Sequence, residues 1–122
     1  MEDLLNKVTV HYLKKAYHNE LKNVFGHLAV TQRLERAYDI LVRSSEYVIS
    51  IIPLEETGGS LQFSIKGLND TYVVIQSQQS CSCPDQEKLC KHRLMIKLLL
   101  EGIKLQTQDR RAMEHLLEKA SI

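Results

Sequence analysis

The chain of 122 residues has no tryptophan, only two prolines and no bias in charge: 16 Lys and Arg stand against 15 Asp and Glu, a net +1. It lacks the overall basic excess that marks many nucleic-acid binders, so any DNA contact must come from a local patch. No apolar run approaches the ~20 residues needed to span a bilayer. The N-terminus, Met1-Glu2-Asp3, is acidic where a signal peptide would be basic. There are three cysteines, all within ten positions, whereas a secreted disulfide framework has an even and more dispersed set. We therefore expect a cytosolic or nuclear chain with its cysteines reduced. What remains is ordinary: 43% hydrophobic and 25% charged residues exclude a wholly disordered chain. The length suits one domain, in which roughly two-thirds of the unfolded surface leaves water on folding.

Periodicity divides the chain. The first 25 or so residues read as a helix, with Leu5, Val8, Tyr12 and Ala16 on one stripe and Leu13, Tyr17 and Leu21 on another. Gly26 breaks it. Leu34, Ala37, Tyr38, Leu41 and Val42 then mark an amphipathic helix whose wet face is Gln32, Arg33, Arg36, Asp39 and Arg43; Thr31 is placed to cap its start. The character changes at Ser44-Ser45. Tyr47 to Ile52 is a β-branched strand. After a turn with Gly58-Gly59, Leu61, Phe63 and Ile65 alternate with Gln62, Ser64 and Lys66. Tyr72 to Gln76 makes a third strand, with room to run on toward Cys81. A helix from about Lys91 to Leu105 and a last one from near Thr107 complete the order. The fold expected is α+β: a small antiparallel sheet and a strand-to-helix knuckle, flanked by helices at both ends. Three sections make up the single domain 1-122: N-terminal helices 1-44, a central module 45-105 and a C-terminal helix 106-122.

The chemistry lies in C-S-C-P-D-Q-E-K-L-C-K-H, which starts at Cys81. Its spacing is Cys-x-Cys, six residues, then Cys-x-His. Structural zinc takes four thiolate and imidazole ligands in a tetrahedron. Cys81 and Cys83, at i and i+2 on a strand end, point to the same side. Pro84 marks where that strand stops. On a helix i and i+2 diverge, so Cys90 belongs just before the helix and His92 in its first turn. The helix N-terminus favours negative charge and so supports a thiolate at Cys90. Three unrelated thiols and a chance histidine would be an unusual cluster. A Cys-His nucleophile has no third group or oxyanion signature here, and a redox Cys-x-Cys leaves the second pair unexplained.

This pattern resembles the SWIM zinc finger, a strand-strand-helix module. The small size and the element order are most similar to the SWIM subunit of the Shu recombination complex. That resemblance implies a Zn2+ cofactor held by Cys81, Cys83, Cys90 and His92, and no catalytic residues. It also implies a heterodimer with a recombinase paralogue that promotes recombinase filament assembly in homologous recombination. The alternative is a stand-alone DNA-binding SWIM module of the transposase or regulator kind. The Shu pattern extends to Cys-x-His-x-x-Ala, and the alanine position holds Met95 here.

Two further features bear on partners. Lys88, Lys91, Arg93 and Lys97 surround the motif, either as a DNA phosphate patch or as cations balancing three thiolates. In the helix after His92, Arg93, Lys97, Glu101 and Lys104 form one narrow polar stripe. The rest is apolar and must be covered by the chain itself or by a partner anchored among Leu94, Met95, Leu98 and Leu99. His11, His18, His27 and His115 have no mate at ligand spacing. Lys14-Lys15 and Arg110-Arg111 read as solvated faces.

Overall fold

The computed structural model describes residues 4–43, 47–59, 61–67, 69–75, 80–84 and 90–120. The N-terminal segment is not one helix. Leu4–Lys7 makes a single 3-10 turn, and α1 runs Val10–Asn23. The break falls where α3 (Lys91–Ala120) takes up the free backbone groups. Gln106 Oε1 accepts from the Thr9 N–H and Gln106 Nε2 donates to the Lys7 carbonyl, both at 2.9 Å. Thr9 is then the extended residue from which α1 starts, its carbonyl accepting the first helical bonds from Tyr12 and Leu13.

Gly26, at φ +89°, turns the chain in the left-handed region open to glycine. The second helix, α2, begins at Leu28 and runs to Arg43. Thr31 therefore lies inside its first turn rather than at its cap, and the Thr31 hydroxyl donates to the His27 carbonyl at 3.0 Å. Leu34, Ala37 and Leu41 are buried as the periodicity requires. Tyr17 of α1 stacks on Tyr38 of α2, ring centroids 4.4 Å apart. Ser44-Ser45, where the sequence changes character, lies outside the described residues.

The sheet is an antiparallel meander, β1 (Val48–Ile52), β2 (Gln62–Lys66), β3 (Thr71–Ile75) and β4 (Ser80–Cys81), in that spatial order. Its register places Ile49, Ile65 and Tyr72 in one row and Ile51, Phe63, Val74 and Cys81 in the next, all on one face. Phe63, Ile65 and Ile49 are fully buried there. Cys81 belongs to a separate fourth strand, not to a continuation of the third; Gln76 falls outside the described residues. Three helices and this sheet make the fold α+β.

The C-terminal region departs most from expectation. Two helices meeting near residue 106 were expected, yet Lys91–Ala120 is one helix of 30 residues. The residues from Gln106 to Arg111 turn polar because α1 begins beside them and covers no more of α3, not because α3 stops. No Gly or Pro interrupts this stretch. Tyr12 of α1 donates to Asp109 at 2.9 Å, and beyond that contact every described side chain of α3 from Arg110 on is exposed. Further down, Gly102 allows the close approach of α1. A Cβ there would sit 3.2 Å from Val8 Cγ2 and 3.4 Å from Leu13 Cδ2.

Candidate metal centre

Each pair of ligands is positioned by its own element. Cys81 closes β4, opposite Val74 of β3. Ser82, the middle residue of Cys-x-Cys, ties the pair to β3 twice: its N–H donates to the Val73 carbonyl at 3.0 Å, and its hydroxyl accepts from the Val73 N–H at 2.8 Å. Cys90 stands immediately before α3, where its carbonyl accepts the first helical bond, from Leu94 N–H at 3.1 Å. His92 follows in the first turn, as the i, i+2 geometry demands. The four ligand atoms of Cys81, Cys83, Cys90 and His92 all lie within 4.8 Å of one another. A tetrahedron with Zn–S of ~2.3 Å and Zn–N of ~2.0 Å has edges below that separation.

Burial is graded. Cys90 and His92 are 1% and 3% exposed, while Cys81 and Cys83 are half-buried. Loss of water pushes the Cys81 thiol from its ordinary value of 9.0 to about 12, and the nearby sulfurs of Cys83 and Cys90 act in the same direction. Three thiolates so close repel one another unless a cation lies among them. A divalent ion reverses that balance, and three soft sulfurs with one imidazole nitrogen suit zinc. The residues present fit that ion. When bound, it crosslinks the sheet edge to the start of α3.

The surroundings differ from the basic ring that the sequence suggests. Lys97 is paired with Glu20 of α1 at 3.0 Å, and that carboxylate is nearly buried. Lys88 lies outside the described residues. Instead, Arg33 and Arg36 of α2 join Lys91 and Tyr72 in lining an opening of about 220 Å³ beside Cys83, Cys90 and His92. Tyr72 lies over the His92 imidazole with centroids 4.4 Å apart and planes inclined by 33°. Sequence reasoning missed Tyr72, Ser82, Arg33 and Arg36. Only the i, i+3 spacing of the two arginines could have linked them to one another, and nothing local links either to the motif.

The apolar positions of α3 are also settled. Leu94, Met95, Leu98 and Leu99 are at most 2% exposed, inside a core shared with α1, α2 and the sheet. They cannot anchor a partner, which corrects the expectation above. Met95 is fully buried in this core. The uncovered apolar residues of α3 lie further along, at Met113, Leu116 and Leu117, each about 60% exposed. No described helix is long and apolar enough to cross a membrane.

No curated protein and no solved structure matches the chain. Residues 70–101, which span β3, β4, all four ligands and the first turns of α3, match the model of the SWIM zinc finger.

Proposed function

We propose that the chain is a non-catalytic, zinc-binding SWIM subunit that works through a protein partner. By the resemblance of its motif and element order, that partner is a recombinase paralogue, and the pair promotes recombinase filament assembly in homologous recombination. The observation that carries the partner reading is the end of α3. Met113, Leu116 and Leu117 recur at i, i+3 and i+4 on a helix that has outrun α1. Tyr12, Asp109, Arg110, Met113 and Leu116 line a groove of about 460 Å³ at that point. Apolar residues so grouped and rimmed by charge suit an interface. A metal with four protein ligands keeps no position for water or substrate, which supports a binding role over a catalytic one.

The test is co-purification of the tagged full chain from its host. An ATPase-type recombinase paralogue should accompany it. Leu116→Asp with Leu117→Asp should remove that partner while one zinc per chain remains. A complex that survives both changes defeats this reading.

A second reading, direct DNA binding, is favoured by Arg33, Arg36 and Lys91 beside the metal centre. Phosphate contacts release counterions, so binding by the isolated chain would fall steeply with salt. Tight, salt-sensitive binding of duplex or single-stranded DNA by a partner-free monomer would favour it over the first.

A further inference from the structure

The motif supplies four ligands, but it leaves two problems that the rest of the chain must solve. Three thiolates and one Zn2+ carry a formal charge of −1 at a site that is partly out of water. The imidazole must also be held in one orientation to offer a nitrogen to the metal. Two features of the structure address these problems. Tyr72 covers the His92 ring at 4.4 Å from the sheet side. Arg33 and Arg36, one turn apart on α2, line the same opening as Cys83, Cys90 and His92. The acid beside this group is Asp70, whose carboxylate interacts with the Tyr72 hydroxyl, while Glu20 is paired with Lys97.

We propose that Tyr72, Arg33 and Arg36 form the outer shell of the metal site. Tyr72 is a positioning residue for His92. The two arginines offset the charge of the thiolates. The affinity for zinc is therefore set in part by α2, a helix outside the segment that matches the family model. The N-terminal helices are then part of the metal site rather than an appendage to it. This rests on the zinc reading alone and is independent of any protein partner.

Two alternatives predict different behaviour. If Tyr72 only fills space, any apolar side chain of similar bulk will replace it. If the arginines serve nucleic-acid phosphates, their loss will weaken DNA binding and leave the metal untouched. Arg36 is exposed and Arg33 half-buried, so their effect on the thiolates should be screened by salt.

The experiment uses the full chain and competition between protein and a chromophoric chelator for Zn2+. Tyr72→Phe keeps the ring and should bind zinc as the parent does. Tyr72→Leu should bind it about tenfold more weakly, in the range seen when outer-shell partners are removed. It should also shift the visible d–d bands of the Co2+-substituted protein, because the imidazole is no longer held. Arg33→Gln with Arg36→Gln should weaken zinc by a similar factor at low salt and by less at high salt. Arg33→Lys with Arg36→Lys should recover most of the loss. Far-ultraviolet circular dichroism of each zinc-loaded variant checks that it folds, and the Phe and Lys variants keep the test alive if the others do not. Equal affinities across the set, with the parent binding one zinc, overturn the outer shell and leave the zinc site standing. A loss confined to DNA binding overturns it in favour of the phosphate reading. A parent chain that binds no zinc overturns both.

Discussion

At the residue scale the ligands are not equivalent. Cys90 is buried and stands at the start of α3, where its backbone carbonyl accepts from the Leu94 N–H. Cys90→Ser leaves that carbonyl in place and supplies a hydroxyl suited to capping, but not the soft donor. Metal analysis of that variant should fall from one zinc per chain to none, with a folded core remaining around α1 and α2. Cys83→Ser, at a half-buried position, should also lose the metal, since three protein donors leave the tetrahedron open. Gly102 tests packing instead. Glycine inside a helix costs about 1 kcal/mol relative to alanine, and here the cost is offset by the close contact with Val8 and Leu13. Alanine gains that propensity and needs Val8 to move by a few tenths of an ångström, so Gly102→Ala should be near neutral. Gly102→Leu has no room and should lose roughly 1–3 kcal/mol in urea titration.

At the element scale the structure sorts α3 into two halves with different duties. The half from Lys91 to about Gln106 is core, and the half beyond is exposed. A charge at Leu98, fully buried, should unfold the domain; a charge at Leu116, 61% exposed, should change stability by no more than about 0.5 kcal/mol. Thermal melts of Leu98→Asp and Leu116→Asp decide this directly. A chelator should act on the first half only. Backbone amides at Cys81 to Cys83 and in the first turns of α3 should exchange faster without metal, while α2 changes little beyond the turn that carries Arg33 and Arg36.

Much of this was legible in the sequence. The period of Leu34, Ala37 and Leu41 gave the buried face of α2, and the alternation at Phe63 and Ile65 gave β2. The ligand spacing alone placed Cys90 before the helix and His92 inside it. What was not legible depends on contacts distant in sequence. The break at Thr9 is made by Gln106, 97 residues away. The unbroken run of α3 was hidden because its polarity changes beside the start of α1. Tyr72 reads as a strand residue until β3 carries it over His92, and no periodicity reports that α2 lies beside the metal.

At the scale of the whole molecule, metal, protons and stability are linked. In the metal-free fold the Cys81 thiol holds its proton up to about pH 12, well above its ordinary 9.0. The folded form thus binds that proton more tightly than the unfolded chain does. This contribution is fully present below about pH 9 and is lost as pH rises toward about 12. With a chelator present, the melting temperature should therefore decline across that window, and less steeply in Cys81→Ser, which has no thiol there to ionise. Zinc reverses the sign. It binds the thiolate, so binding must release the Cys81 proton, and protons compete with the metal. Affinity for zinc should rise with pH near neutrality, by about tenfold per pH unit for each proton released. Stabilisation by the metal grows with the ratio of free zinc to its dissociation constant. The gap in melting temperature between zinc-loaded and chelated protein should accordingly widen from pH 6 to pH 8. Melts at fixed free zinc measure it, and a gap that stayed constant over that range would mean that the sulfur of Cys81 does not meet the metal.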